Sequence, residues 1–317
     1  MKTVEKRTHA LRLCLIVVVA VLLAAAMPSA LAAPTLKYKF ITLDGFSGTE
    51  TAVDTVATYA SDGGITFQWY IDASSFWHTV ALVNGTWISL DVPGYDNTGS
   101  GAANTRGQIP LTSWGADGVP HLAIWYKGQL TNIADPCPGY VFSAGQSIND
   151  LGQVTSVCTD ANGVGIVYVS ASQKDRLFFP VPSATFAYPG ASFTFVMGSN
   201  NLGTAVGTYW DAEGLQHGFA ANVYDGKYRT IDIPGETEAW VQGVNDEGEM
   251  VGSAMNASGS WMGFEFQGRH QGSFNVPGAL QSDIFWITNG QRVSGSYEDA
   301  NGLWHGFVAI PVSEPER

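Results

Sequence analysis

The sequence repeats itself at intervals of roughly 45 residues. Pro-Gly, or a variant of it, recurs at Pro93-Gly94, Pro138-Gly139, Pro182-Ser183, Pro234-Gly235 and Pro277-Gly278. Short strand-like runs precede it, as at residues 88–92, 230–233 and 273–276. A period in the low-to-mid forties with several short strands per repeat is typical of a β-propeller. The repeat therefore predicts an all-β fold, while it leaves the activity open.

Turn motifs recur at fixed places inside each repeat. The first turn has the form Asn-x-x-Gly and occurs at residues 149–152, 200–203 and 245–248. The second has the form Asp-Ala-x-Gly and occurs at residues 160–163, 211–214 and 299–302. Asn, Asp and Gly suit tight turns because their backbones tolerate the required conformations. Each repeat thus divides into four short strands, and the first strands, which are rich in small residues, are expected near a crowded axis.

The repeats number six, and the two ends of the chain complement each other. The units cover residues 46–94, 95–139, 140–183, 184–235, 236–278 and 279–312. The last unit ends without a fourth strand, whereas residues 38–45 resemble a fourth strand with nothing before it. Pairing the two would remove an open sheet edge. We predict one domain, residues 33–312, that forms a six-bladed β-propeller with four strands per blade, closed by this N-terminal strand.

The N-terminus has the features of an export signal. Lys2, Lys6, Arg7 and Arg12 precede an apolar run of 15 residues, 13–27, which is short for a membrane span. Ala30-Leu31-Ala32 then provides a cleavage site. The prediction is a signal peptide at residues 1–32 and a mature protein that is secreted or extracytoplasmic, without a transmembrane span; an uncleaved anchor is the alternative. Residues 313–317 form a short tail.

Charge and motif content limit the partners. The formal net charge is −13, and removing residues 1–32 leaves 11 basic against 27 acidic residues. So acidic a chain is a poor partner for a phosphate backbone, and we predict no nucleic acid. No EF-hand loop, nucleophile elbow or phosphate-binding glycine loop is present in the sequence. We therefore predict no metal and no cofactor, and we expect a monomer.

Two cysteines remain after the leader, Cys137 and Cys158. Export permits a disulfide between them. Spacing alone does not show whether their Cα atoms come within about 7 Å, so a bridge and two separate thiols both stay open.

The recurring motifs resemble a known family. Ile-Asn-Asp-x-Gly, Val-Gly-x-Tyr-x-Asp-Ala-x-Gly, His-Gly-Phe and Ile-Asp-x-Pro-Gly are similar to the bacterial extracellular HAF repeats. The matching stretches are residues 147–152, 206–219, 230–235 and 294–307. The similarity is strong in the last three repeats and weak in the first two, which lack Gly-Phe after His. It implies a secreted repeat protein of uncharacterised activity, and hence location and architecture rather than chemistry.

His217 and His305 open the third strand of two repeats. A catalytic residue is needed once, whereas a structural residue is needed in every blade. We therefore interpret His217 and His305 as structural, bonded to Asp211 and Asp299 of the preceding turns.

Aromatic residues are the better lead to a ligand. Adjacent strand residues point to opposite faces, so one member of Trp125-Tyr126 and one of Tyr209-Trp210 is expected at the surface. Exposed aromatics near a propeller mouth suit stacking on sugars or peptides. Packing between blades is the alternative role for any one of them.

The sequence therefore predicts a non-catalytic binding or scaffolding propeller. Its partner would be an extracellular polysaccharide or a surface protein. One alternative is a propeller glycoside hydrolase or lyase, which would concentrate non-repeating polar side chains at one mouth; the acidic candidates for such a rim are Asp96, Glu236, Glu238 and Asp283. Another alternative is a structural component of the envelope.

Overall fold

The computed structural model describes residues 37–43, 54–62, 64–134, 136–161, 165–170, 183–267 and 270–312. They form 24 β-strands in six sheets of four strands each. Within these stretches, no helix is long and apolar enough to cross a membrane. The predicted signal peptide and the predicted C-terminal tail lie outside the described residues.

The first three complete sheets follow one another along the chain after β1 (Lys37–Leu43). Blade 1 consists of β2 (Asp54–Ala60), β3 (Thr66–Ile71), β4 (Trp77–Val83) and β5 (Thr86–Ser89). Blade 2 consists of β6 (Asn97–Ser100), β7 (Ile109–Trp114), β8 (His121–Tyr126) and β9 (Gln129–Ile133). Blade 3 consists of β10 (Val141–Ile148), β11 (Val154–Thr159), β12 (Gly165–Val169) and β13 (Ala184–Phe186). Consecutive strands within each of these blades are antiparallel.

The last three sheets complete the ring. Blade 4 consists of β14 (Phe193–Ser199), β15 (Thr204–Trp210), β16 (Gln216–Asn222) and β17 (Lys227–Ile231). Blade 5 consists of β18 (Glu238–Val244), β19 (Met250–Met255), β20 (Trp261–Gln267) and β21 (His270–Ser273). Blade 6 consists of β22 (Gln281–Ile287), β23 (Val293–Glu298) and β24 (Trp304–Val312), with β1 as its fourth strand. The predicted six-bladed propeller and its closure by the N-terminal strand are confirmed.

One repeat border differs from the prediction. Residues 184–186 were assigned to the fourth repeat, but they form β13 and pair with β12 in blade 3, with Phe186 opposite Val167. The turn that ends this blade is Pro189-Gly190, where Gly190 has a φ of +79°. Pro182 precedes the outer strand instead of following it. Proline lacks the N–H that a strand ladder uses, so it marks a strand border without showing which side the strand lies on.

The first strand of each blade lies nearest the central axis, as its small residues predict. Ala102, just after β6, forms a parallel bridge with Ser147 of β10. The hydroxyl of Ser147 in turn lies 3.3 Å from that of Ser199 in β14. Such short contacts between blades need small side chains, and these residues provide them.

The hydrophobic core lies mainly between neighbouring blades. One cluster joins blades 1 and 2 through Phe67, Ile109 and Leu111, all fully buried. Phe219 and Phe307, the phenylalanines of the repeated His-Gly-Phe motif, are also fully buried. The phenylalanine of the repeated motif therefore contributes core contacts that hold blades 4 and 6 to their neighbours.

Candidate ligand-binding site

The two ends of the central axis differ in shape. The six first strands start at one end, which we call the wide end, and the turns that follow them form the other, the narrow end. A cavity of about 690 Å³ opens at the wide end. The space at the narrow end is only about 40 Å³.

The cavity at the wide end, which we call the aromatic cavity, has an aromatic side chain from every blade. These side chains are Tyr59, Trp69, Trp77, Trp114, Phe142, Phe195, Trp240 and Phe285. None of the described residues that line the cavity is a lysine, an arginine or a histidine. The cavity thus offers broad ring faces without a positive charge.

The rings form a continuous wall across blades 1 and 2. Trp69 and Trp77 stack with centroids 4.5 Å apart and an interplanar angle of 18°. Trp77 meets Trp114 of blade 2 edge to face at 5.8 Å. Offset and edge-to-face contacts are the preferred geometries of aromatic pairs, so the wall is rigid. On the other side, Tyr59 lies 6.1 Å from Phe285 of blade 6.

The first strands of blades 4, 5 and 6 differ at one position of equivalent register, and in blades 4 and 5 this position lines the cavity. Phe195 pairs with Thr208 in blade 4, and Trp240 pairs with Ser253 in blade 5. The equivalent residue of blade 6 is Asp283, which pairs with Ser296. A glycine stands beside each of these pairs, and a Cβ there would collide with the carbonyl oxygen of Phe195, Trp240 or Asp283: Gly207, Gly252 and Gly295. These glycines let the first strand of each blade approach the second closely.

Asp283 is partly buried beside the aromatic cavity and is held by polar groups of blade 5. Its Oδ1 accepts a hydrogen bond from Gln242 Nε2 at 2.8 Å and another from the Ser253 hydroxyl. Burial raises the pKa of Asp283 to about 6, although the hydrogen bonds from Ser253, Gln242 and the Ile284 backbone oppose the rise. The carboxyl group is therefore charged at neutral pH and protonated in mild acid.

The narrow end is a belt of turn side chains that bond to the next blade. Four asparagines donate from Nδ2 to a backbone oxygen of the following turn, over distances of 2.8–3.5 Å: Asn104, Asn149, Asn200 and Asn245. A second layer joins Asp246 to Asn201 at 2.7 Å and to Asn289 at 2.8 Å. Because these groups satisfy one another, the belt is a structural closure of the ring.

The repeated histidines contact aspartates of their own blade, and two of them, His78 and His217, lie between two aspartates. His217 Nδ1 is 2.9 Å from Asp232 Oδ1, and its Nε2 is 3.3 Å from Asp211 Oδ2. His305 Nε2 lies 3.4 Å from Asp299 Oδ2, which matches the contact between His217 Nε2 and Asp211. Blade 1 repeats the arrangement of His217, with His78 between Asp72 and Asp91. We call each such group a histidine clip.

The clips shift the pKa values of their members. Burial opposes the charge of His217, but the hydrogen bonds to Asp232 and Asp211 outweigh it and raise the pKa. Burial likewise opposes the charge of Asp211, yet the Leu215 backbone N–H and His217 lower its pKa. The Leu303 backbone N–H is the main cause that lowers the pKa of Asp299 to about 2.

The four aromatic residues singled out in the sequence lie outside the aromatic cavity. Trp125 and Tyr209 are 8% exposed, so burial leaves them no ring face for a ligand. Tyr209 is stacked between Tyr188 and His217. Their partners Tyr126 and Trp210 are partly exposed, as alternation predicts. Trp210 packs against Trp240, directly behind the cavity wall, with centroids 6.3 Å apart.

The remaining candidates are dispersed. Cys137 and Cys158 form a disulfide, with Cα atoms 6.4 Å apart, that ties the connection after β9 to β11.

Among the described residues, no group of three His, Cys, Asp or Glu side chains could hold a metal ion. Of the predicted rim acids, Glu238 lies two residues before Trp240 in β18, whereas Asp96 is exposed ahead of β6.

Sequence reasoning missed most of the cavity. Tyr59, Phe142, Phe195, Trp240 and Phe285 were not selected, because each lies in a first strand and the first strands were expected to supply small residues near the axis. The signal that could have found them is the comparison of first strands aligned on their terminal Asn, where equivalent positions hold unlike residues.

Comparison with known proteins supports the fold. No protein-family model and no curated protein matches the sequence. A protein of unknown function from Dyadobacter fermentans is similar with a TM-score of 0.57 and 10% identity, over 88% of this chain and 100% of that one. AofleA from Arthrobotrys oligospora is similar with a TM-score of 0.54 and 10% identity, over 88% and 91%.

A more distant similarity is to the Aleuria aurantia lectin, in a complex with Fucα1-6GlcNAc. Its TM-score is 0.49 and its identity 9%, over 84% of this chain and 99% of that one. At such low identities, these similarities concern the fold alone.

Proposed function

We propose that this protein is a secreted, non-catalytic carbohydrate-binding propeller and that the aromatic cavity is its binding site. The observation that carries the proposal is the aromatic lining itself, to which every blade contributes a ring. Its volume of about 690 Å³ lies within the range of roughly 300–1,000 Å³ that is usual for small-ligand sites.

The chemistry of the lining favours a sugar. The apolar faces of sugar rings stack on tryptophan and tyrosine, and hydroxyl groups at the edges bond to nearby polar groups. Trp69, Trp77 and Trp114 offer adjacent ring faces of this kind. Ser143 and Gln146 of β10, in the next blade, supply polar groups to the lining.

The test is a glycan array followed by calorimetric titration of the glycans retained. Replacing one cavity ring, Trp240→Ala, should weaken binding roughly two- to tenfold, since stacking contributes on the order of 0.5–1.5 kcal/mol and about 1.4 kcal/mol corresponds to a factor of ten. The matched control is Trp87→Ala in the outer strand β5, outside the cavity lining, which should bind as the parent does. Melting curves of both variants separate a lost contact from lost folding.

Equal affinity of the Trp240→Ala variant and the parent would rule out the aromatic cavity as the site. An array without any retained glycan would favour a surface protein as partner or a structural role in the envelope.

One observation favours the second candidate, a propeller glycoside hydrolase. Asp283 is a single, non-repeating carboxyl group with a pKa of about 6, which suits a general acid. Hydrolysis of glycosides usually needs a second carboxylate about 5–10 Å away. If the parent releases reducing ends from a bound glycan and the Asp283→Asn variant does not, the protein is a glycoside hydrolase and the purely binding role is wrong.

A further inference from the structure

Asp283 breaks the pattern of the cavity wall. The equivalent positions of blades 4 and 5 hold the rings of Phe195 and Trp240, and blade 6 places a carboxylate there. Blades 4 and 5 fold without an acidic residue at this position. Packing requirements shared by the repeats therefore do not account for Asp283.

Buried polar groups fix the direction of this carboxylate. Ser253 is fully buried, donates to Asp283 Oδ1 and accepts from the Ile284 backbone N–H at 2.8 Å. Gln242, 4% exposed, donates to the same oxygen. Both of these side-chain bonds end on Oδ1.

Two rings of the cavity lie next to Asp283. Phe285 lies two residues further along β22, at the β-bulge between Ile284 and Trp286, and lines the cavity. Tyr59 of β2 lies 6.1 Å from Phe285. Burial and then the charge of Asp283 raise the pKa of Tyr59, so the phenol stays neutral and lies within the field of the carboxylate. A carboxylate beside two ring faces is the arrangement that attracts an organic cation.

We propose that the aromatic cavity binds an amine-bearing sugar whose ammonium group contacts Asp283 between the rings of Tyr59 and Phe285. The inference rests on the proposed function and names its ligand class. The described lining offers no basic side chain that would compete for the carboxylate. Cation–π attraction acts within about 6 Å of a ring centroid, and a carboxylate in a partly desolvated site strengthens the selection of a cation.

The experiment compares two glycans of equal length, a glucosamine oligomer with free amines and its fully N-acetylated form. Calorimetric titration of the parent at pH 6.5 should give at least tenfold tighter binding of the free amine. Asp283→Asn keeps the size and the Oδ1 acceptor, and it should reduce this preference to less than threefold. Asp225→Asn, the same change on the exposed β16–β17 hairpin, should keep the preference of the parent.

The pH dependence gives a second readout. Among the described side chains, Tyr59 of β2 is a titratable group on which the charge of Asp283 acts, and the hydrogen-bond partners Gln242 of β18 and Ser253 of β19 do not titrate. Burial sets the pKa of Asp283 at about 6. Because the amines of glucosamine also titrate in this range, the pH series uses an N,N,N-trimethylated glucosamine oligomer, whose positive charge is fixed. Lowering the pH from 6.5 to 5 should weaken binding of this oligomer and should leave the N-acetylated oligomer unaffected.

The outcomes separate the inference from the function on which it rests. If both oligomers bind the parent equally and Asp283→Asn changes neither, the amine preference is overturned and glycan binding stands. If neither oligomer is bound, both the preference and the glycan role fail. A trilysine peptide that binds as tightly as the amine oligomer would overturn the assignment to a sugar.

Discussion

At the narrow end of the axis, four blades present an asparagine whose amide bonds to the next blade, whereas at the wide end equivalent positions of blades 4, 5 and 6 hold unlike side chains. Asn200 and Asn245 make the same hydrogen bond in blades 4 and 5, from Nδ2 to a backbone oxygen of the following turn. Phe195, Trp240 and Asp283 occupy equivalent positions, but two aromatic rings and a carboxylate cannot make the same contacts. Identity at equivalent positions thus marks the contacts that build the ring, and difference marks the surface that is free to serve a ligand.

The largest expected effect comes from breaking the belt at the narrow end. Asn200→Ala removes the bond to Asn245 and leaves the N–H groups of Leu202 and Thr204 without the Oδ1 that accepts them. With three bonds lost at a buried position, the free energy of unfolding should fall by about 3 kcal/mol. Urea denaturation measures it.

The matched control for this change is Asn256→Ala, in the outer turn of blade 5, where Asn256 also accepts two backbone N–H groups. Its effect should be below about 1 kcal/mol because water can replace the side chain there. Equal losses in both variants would mean that the belt has no special part in stability.

The next prediction compares a change from Asp to Asn at the two ends of the axis: it should raise the free energy of unfolding at the wide end and lower it at the narrow end. The pKa of Asp283 is raised from 3.8 to about 6, so the folded state favours the protonated group and loses stability as the pH rises from 3.8 to 6. Asp283→Asn should therefore raise the free energy of unfolding at pH 7 by about 2–3 kcal/mol, at 1.36 kcal/mol per pKa unit, and should have no such effect below pH 3.8.

Asp246→Asn at the narrow end should instead destabilise, because the new amide would face the donors of Asn201 and Asn289. Urea titrations of the two variants at pH 7 and pH 3.5 make the comparison. Loss of stability in Asp283→Asn at pH 7 would show that the carboxylate belongs to the structural part of the ring.

The smallest effect concerns the histidine clips, which lie outside both ends of the axis. The folded pKa of His217 is raised, so its stabilisation is complete below the unfolded value of about 6.5 and disappears as the pH rises through the folded value. The pKa of Asp211 is lowered, so its share is present above about 3.8 and is lost in stronger acid.

The melting-temperature difference between the parent and His217→Gln should consequently be largest near pH 5–6, at about 2–4 °C, and should shrink towards pH 9. Scanning calorimetry across this range tests it. A difference that keeps growing above pH 8 would contradict a charged clip.

The sequence predicted the number of blades and the closure because both depend on residues that recur. Pro-Gly turns and the His-Gly-Phe motif appear at nearly constant intervals, and the spare strand at one end matches the missing strand at the other. The border after blade 3 was wrong because Pro182-Ser183 lies before an outer strand, while Pro189-Gly190 lies after it.

The cavity could not be predicted in the same way, for two physical reasons. Its residues vary from blade to blade, so a search for repeats passes over them. In addition, the first strands contain β-bulges, for example between Val241 and Gly243 and between Ile284 and Trp286. A bulge shifts the alternation of side chains, so the face that Trp240 or Phe285 takes cannot be counted from the strand end.

The strand that closes the ring also sets when the fold can be completed. β1 is made first, yet its place is beside β24 at the far end of the chain, and the Thr42 hydroxyl meets that of Tyr297 across 255 residues. Contacts so distant in sequence form slowly because a long loop must close before they contribute. During synthesis, β1 therefore has an unpaired edge until β24 has been made, and the ring can close only then.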